Sequence, residues 1–551
     1  MAEKILKSLI LVESAAKART LKKFVGRNYS VSSTDGVLKD LPKSRIGMDE
    51  NYQPDYITIR GKGKLLAELR RETLNARRIF LATNPDAQGE FLARQFCEIF
   101  GVNPLSHCRI VLNELTKENF KAALSAAQPI DENLADAFQA KQLIDKYVSH
   151  KVGEYLARKI WLGVKVGRFR GMLLKLIATP PARKNLTVGK NLTPATLQEL
   201  ALKELNFSAS RTRFIADQLY EGMNFNSDGC AGLITYPHGE EIFLTSERRE
   251  PAAVKEFLTD YQFKLYDLIY SRLTEKNSSA KIKLDGTAND AILMAAFDAL
   301  KVDWADFYSV GVASLIKRKY ITAQDSVYKV TALGERVLDA IGGFFDEMFS
   351  AKSYNEITAQ VKEIAAGKVK KISVIENYCA KFNVAFDEAM ASLGEDAQPQ
   401  KEPVVESDEV CEKCGRKMLI RHGRYGTFLA CSGYPECKNT RPFLEPTNKK
   451  CPKCGKNLGK RSLSLNRIFY RCESCDFMTW DEPQAMTCKT CGATMFLHKF
   501  KGGASMLYCG NENCPTRANH PVNKILAETK RRAEVRRERK AGAAKKAGAK
   551  S

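Results

Sequence analysis

Twelve of the 16 cysteines of this 551-residue chain lie between Cys411 and Cys514 and fall into three sets of four. Cys411-x2-Cys414 precedes Cys431-x5-Cys437, Cys451-x2-Cys454 precedes Cys472-x2-Cys475, and Cys488-x2-Cys491 precedes Cys509-x4-Cys514. Four thiolates at such spacing are the donor set of a closed tetrahedral zinc site. A module this small folds largely on the free energy of binding its metal. Redox pairs and an iron–sulfur centre are rival chemistries for C-x2-C, but tandem four-cysteine sets with ribbon-length loops favour three structural zinc ions. Cysteines used this way belong to a reducing, cytoplasmic setting rather than to a disulfide scaffold. Cys97, Cys108, Cys230 and Cys379 show no pairing pattern and are expected as buried free thiols. The ribbons also set aromatic rings beside cations: Tyr425 and Phe428 near Arg424, Phe469 and Tyr470 between Arg467 and Arg471, and Phe496, Phe500 and Tyr508 near Lys499. Exposed rings of this kind stack on bases while cations follow phosphates. About half of them are expected to form the ribbons' own small cores instead.

A second set of candidates sits in the N-terminal part. The apolar run 9–12 reads as a buried strand ending in Glu13, and 79–83 as another, ending in Asn84-Pro85-Asp86. Helices are expected over 15–25 and 89–99, a third short strand over 110–112, and a helix capped by Thr116. Strands alternating with helices predict a mostly parallel α/β sheet over 1–128. In such sheets chemistry collects beyond the carboxyl ends of the strands, where Glu13 and Asp86 stand.

The remaining elements must hold these groups. An amphipathic helix is expected over 132–161, with Leu134, Phe138, Ile144, Val148, Val152, Tyr155 and Ile160 as its core stripe. A basic turn at 165–171 and a helix broken by Pro180-Pro181 follow. Two helices are expected over 192–222, and strand, turn, strand over 232–246. Two helices and a hairpin over 288–340 have the order of a winged helix. The acidic, Pro-bearing stretch 395–409 reads as a linker between a core over 129–394 and ribbons over 410–446, 447–484 and 485–523. Residues 524–551 form a basic tail.

Composition narrows the function class. Hydrophobic residues make up 44% of the chain, which excludes wholesale disorder. No apolar run is long enough to span a membrane, and the run after Lys7 is too short for a signal peptide. The formal charge of +23 is uneven. Residues 401–551 hold 31 Lys and Arg against 15 Asp and Glu, a basic C-terminal third that fits a polyanion such as nucleic acid.

Several segments, in order, resemble the bacterial type IA DNA topoisomerases: VESAAKA (12–18), GKGK (61–64), LATNPDAQGE (81–90), NELTKE (113–118), VGRFRG (166–171), LQELALKELNFSASRT (197–212), LITYP (233–237) and RHGRYGTFLACSGYPECKNT (421–440). The resemblance spans nearly the whole chain. It implies a Toprim-like domain, a helical and winged-helix-like topoisomerase core, and C-terminal zinc ribbons. It also implies a nucleophilic Tyr236 that holds a 5′ DNA end as a phosphotyrosine, with Glu13 and Lys17 at the phosphate and leaving oxygen. Because that bond keeps the energy of the phosphodiester, no ATP is required, and no G-x-x-x-x-G-K-[ST] loop is present. The resemblance makes Lys141, Asp145, Lys165, Arg168, Arg170, Tyr425 and Phe428 DNA-binding, with single-stranded DNA as partner and the nucleoid as location.

This chain departs from the family pattern at telling places. The acidic motif D-P-D-R-E-G-E reads Asn84-Pro85-Asp86-Ala87-Gln88-Gly89-Glu90. Magnesium needs anionic oxygens, so a site built on Glu13, Asp86 and Glu90 is expected to be weakened. The arginine expected two residues after the tyrosine is His238, a pH-dependent cation. The HEAIRPT-type and GRPSTYA-type segments find no clear counterpart, and the arch between Ile177 and the LTPATLQ segment is short. Three readings follow. The chain is a divergent topoisomerase with weakened activity, a DNA-binding descendant that no longer cuts, or a zinc-ribbon interaction module that contacts RNA polymerase or a DNA-transfer machine.

Overall fold

The computed structural model describes residues 6–180, 185–187, 189, 191–226, 229–274, 281–283, 287–324, 327–394, 397–401, 405–423, 426–464, 467–472, 474–499, 505–518 and 520–523. The chain divides into two compact units, 1–402 and 403–551.

The first unit begins with a parallel sheet in which Ser8–Val12 lies between Tyr29–Ser33 and Ile79–Leu81. Its central strand is a continuous apolar run because both faces are covered. Leu9 and Leu11 enter one core with Leu81, Phe96 and Leu92. Ile10 and Val12 enter another with Phe80, Leu219, Tyr220, Ile234 and Tyr236. The second core is what brings the tyrosine segment against the sheet. The strand expected over 110–112 is reduced to a parallel bridge between Leu81 and Arg109, held by Leu81 N–H to Cys108 O at 2.7 Å and Ile110 N–H to Leu81 O at 2.9 Å.

Helix ends fix the two acidic strand ends. Ser14 caps Ala15–Phe24, its hydroxyl accepting from the Ala16 and Lys17 amides. Asp86 caps Ala87–Phe100, its Oδ1 accepting from the Gly89 amide at 2.6 Å. Gly89 is required there, because a Cβ would lie 2.0 Å from Asn84 O. Thr116 caps Lys117–Ser125 as expected.

The helix Glu132–Lys159 carries the expected stripe from Ile144 to Tyr155 in the largest core, while Leu134 and Phe138 are half-buried. Helices Pro194–Leu205 and Ala209–Glu221 follow. The strand–turn–strand expected over 232–246 is present as a minimal antiparallel pairing, a bridge between Ile234 and Leu244 flanked by the amides of Thr235 and Thr245, which donate to Phe243 O and Leu233 O at 2.9 and 3.3 Å. The first arm is also tied to the sheet side, where Gly232 and Tyr236 give their amides to Leu115 O and Asn113 O, at 2.8 and 2.7 Å. Helices Asp290–Ala299 and Tyr308–Lys317 precede the antiparallel pair Ile321–Gln324 and Val327–Val330, then helix Ala332–Gly342. The short arch is represented by Asn185–Thr187 paired with Lys281–Lys283.

The stretch expected as a linker is partly structured. Gln400 N–H donates to Ala157 O and Gln400 O accepts from Leu162 N–H. Val405–Val410 is already a strand of the first ribbon.

The second unit is three small antiparallel sheets. Each starts with the same knuckle. Gly415, Gly455 and Gly492 follow the C-x2-C pairs at φ of 69, 73 and 71°, a region that favours glycine, and each donates its amide to the first cysteine's carbonyl. The turn folds both thiols toward one point.

Candidate active site and zinc centres

A groove of about 790 Å³ in the first unit collects the strand-end acids and the tyrosine. Its walls include Glu13, Asn84, Asp86, Gln88, Tyr236 and His238. Tyr236 donates its hydroxyl to Asp86 Oδ2 in a short hydrogen bond. Burial, and then the Asp86 carboxylate, hold the phenol far above its usual range, so the resting side chain is a neutral donor.

Lys17 is 0% exposed, and its ammonium lies 3.3 Å from both Glu13 Oε1 and Asn84 Oδ1. Burial pulls its pKa below the usual lysine value, and the Glu13 charge offsets this in part. An amide at position 84 still accepts the lysine's hydrogen bond, but it brings no charge of its own.

His238 joins two elements. Its Nε2 lies 2.6 Å from Asp217 Oδ1 on Ala209–Glu221, and its Nδ1 lies 2.6 Å from Asp306 Oδ1. Burial alone would lower its pKa, but the two carboxylates outweigh this and raise it to about 9. The imidazole is therefore a cation at neutral pH, as the arginine it replaces would be. Its ring lies 5.3 Å from that of Tyr236.

Other candidates are placed differently. Glu90 does not line the groove: its Oε2 accepts from Arg109 Nε at 2.7 Å and its Oε1 from the Asp131 amide at 2.8 Å. Arg109 also donates to the carbonyls of Thr83, Asn84 and Ile110, and so fixes the backbone of the acidic loop from below. Arg168 is buried, paired with Asp145 at 2.8 Å and lying over the rings of Tyr354 and Tyr378. Neither Arg168 nor Asp145 reaches the groove wall. Lys165 and Arg170 are half-buried away from it, Arg170 beside Ser314. Lys141 does line it, 3.8 Å above the Phe307 ring and 3.7 Å from Asp145.

The groove residues that sequence reasoning missed are Arg213, Phe214, Asp217, Tyr220, Asp306 and Phe307. No spacing rule marks them, because they reach the tyrosine from a helix face and a loop remote in sequence.

The acids present do not fit a magnesium ion. Glu13 Oε2 is buried without a hydrogen-bond partner, but Glu13 Oε1 faces the Lys17 ammonium and both Asp86 oxygens already accept hydrogen bonds. Glu90 is neutralised by Arg109. Among Glu13, Asp86 and Glu90, a hard ion that wants near-octahedral anionic oxygen finds one free carboxylate oxygen and an ammonium beside it.

The cysteine sets do fit zinc. In each set the four sulfurs lie within 4.8 Å of one another, and the closest pairs are 3.2 to 3.8 Å apart. Tetrahedral Zn–S bonds of about 2.3 Å need S···S edges of about 3.8 Å. The chain thus carries three zinc-ribbon centres, each with four cysteine ligands. Of the ribbon aromatics, Phe469, Tyr470, Phe496 and Tyr508 are buried and Phe428 is half-buried. Four of these five described rings are therefore core, because ribbons this thin have few other side chains to fill them. Arg424, Tyr425, Phe500 and the tail 524–551 lie outside the described residues, as do the side chains of Arg467 and Lys499. Among the described ribbon residues, the exposed rings are Tyr434 and Trp480.

Comparison with known proteins agrees with this architecture. Residues 8–115 match the Toprim domain, and residues 408–446 and 448–484 match the topoisomerase DNA-binding C4 zinc finger. The fold is similar to that of full-length topoisomerase I from Thermotoga maritima. The two share 20% sequence identity at a TM-score of 0.60, over 84% of this chain and 100% of that one. The class is therefore a Toprim protein with topoisomerase-type zinc ribbons and a topoisomerase I fold. Part by part, the chain is thus similar to the bacterial type IA topoisomerases: in its Toprim domain, in its C4 zinc ribbons and in its fold. Among the described residues no helix is long and apolar enough to cross a membrane.

Proposed function

We propose that the chain binds single-stranded regions of DNA in this groove and cleaves and reseals one strand through Tyr236, at a rate weakened by its altered acids. The observation that carries this reading is the hydrogen bond from Tyr236 to Asp86 on the groove wall, with the buried Lys17 paired to the wall residue Glu13 behind it. In the proposed step the phenol oxygen bonds to phosphorus and the P–O3′ bond breaks. Asp86 takes the phenol proton. Lys17, whose proton burial has loosened, gives one to the departing 3′ oxygen. Resealing runs the same transfers backward, and no ATP is consumed. His238, bonded to Asp217 and Asp306 through both ring nitrogens, holds the wall beside Tyr236 in place. No step is assigned to magnesium.

A second reading has specific support: the phenol is held strongly protonated and two motif acids are amides, which favours a protein that holds DNA without cutting it. Trapping with labelled single-stranded DNA under denaturing conditions separates the two, with Tyr236→Phe as control. A wild-type adduct absent from the variant supports cleavage, and none in either supports the binding reading. In both, the basic ribbons and tail act in the nucleoid, and affinity falls steeply with salt. Salt-insensitive or undetectable binding would instead favour an interaction module for RNA polymerase or a DNA-transfer machine.

A further inference from the structure

Two large aromatic side chains face water on the wall of the same groove. Phe214, on Ala209–Glu221, is 63% exposed, and Phe307, at the start of Tyr308–Lys317, is 38% exposed. The segments that carry them are tied together. Arg213 donates to Asp306 O in a short hydrogen bond and lies 3.9 Å from the Asp306 carboxylate. His238 bridges Asp217 and Asp306 one turn below. The ion pairs hold the two segments together; Phe214 leaves most of its surface open, while Phe307 packs on the Phe169 ring at 5.9 Å and keeps part of its surface open.

The charges beside them indicate what the rings can meet. Asp217, Asp303 and Asp306 line the groove on the same two segments. Asp217 and Asp306 are paired with His238 and Arg213, so this part of the wall offers an incoming strand ring faces rather than free cations, which suits the uncharged face of a base. Lys141 covers one face of Phe307 with its ammonium. A cation held by a ring is exchangeable, since a base can take the ring while the ammonium turns to a phosphate.

We infer that Phe214 and Phe307 are stacking platforms for unpaired bases of the strand that enters the groove, and that they orient its bases toward this wall and its phosphates away. This rests on the proposed single-strand binding, but not on cleavage. Stacking on a ring contributes about 1–3 kcal/mol per base, which is about fivefold or more in affinity. The full chain is irradiated with a short oligonucleotide carrying 5-iodouracil, and the cross-linked residues are mapped by peptide mass spectrometry. The expected result is labelling of Phe214 or Phe307, alongside any at the exposed ribbon rings Tyr434 and Trp480. Phe214→Leu with Phe307→Leu keeps apolar bulk on the surface and removes both π faces. It is expected to abolish the groove cross-link and to weaken binding by about fivefold or more. Labelling confined to the ribbons, or a double Leu variant that binds like wild type, overturns the inference. A groove cross-link without a Tyr236 adduct refutes cleavage and leaves stacking intact. An adduct with both rings unlabelled does the reverse.

Discussion

At the residue scale, the altered acids hold an ammonium and leave a divalent ion little to bind. Where a divalent ion would need anionic oxygens, Asn84 and Glu13 hold the Lys17 ammonium. This part was legible in the sequence, because the amides at 84 and 88 stand in an otherwise matching motif. The fate of Glu90 was not legible, since nothing local shows that Arg109, 19 residues on, claims its carboxylate. This arrangement predicts that millimolar Mg²⁺ leaves the melting temperature of the wild type unchanged. Restoring two acids with Asn84→Asp and Gln88→Glu should create a site, raising Tm in Mg²⁺ by roughly 2–4 °C at tenfold saturation. Differential scanning fluorimetry checks this, and an equal Mg²⁺ response in wild type and variant would contradict it.

At the element scale, His238 ties helix Ala209–Glu221 to the loop before Tyr308–Lys317, which closes the tyrosine side of the groove. Its pKa is raised from 6.5 to about 9 in the folded chain. A raised value means that the folded state holds the proton more tightly. The stabilisation is therefore complete below pH 6.5 and is lost as pH rises through about 9. The shift corresponds to about 3 kcal/mol. Unfolding free energy measured by urea titration should fall by that order across this window, and His238→Arg, which stays charged, should remove most of the fall. A pH-independent wild type would contradict the clamp. The long helix and the buried strands were readable because their periodicity is set by cores on known faces. In the segment 232–246 the local pairing was readable, but the ties of Gly232 and Tyr236 to residues 113–115 were not, because those partners lie far away in sequence.

At the scale of the whole molecule, the two units rest on different sources of stability. The first has extensive apolar cores of its own. The second has small ones built around its cysteines. The second and third ribbons share one of them, where Leu458 and Cys472 meet Phe496, Tyr508 and Val522. A strong chelator should therefore unfold the second unit and leave the melting of the first unchanged. Cys509→Ala should lower bound zinc from three per chain to two and make the second ribbon's zinc easier to extract, while the first ribbon keeps its own. Zinc analysis after stepwise chelation checks both, and independent release from all three sites would contradict the shared core. The cysteine spacing announced the ribbons plainly, but it could not show which of them lean on one another.

The central claim is that Tyr236 still forms a covalent bond to DNA. Purified protein is incubated with 5′- and 3′-labelled single-stranded oligonucleotides in chelator, denatured, digested and analysed by mass spectrometry. The prediction is a slowly formed adduct on the Tyr236 peptide, carrying the 5′-phosphate end and absent from Tyr236→Phe. No adduct at any pH from about 6 to about 9, with or without divalent metal, from protein that still binds the oligonucleotide, would contradict it.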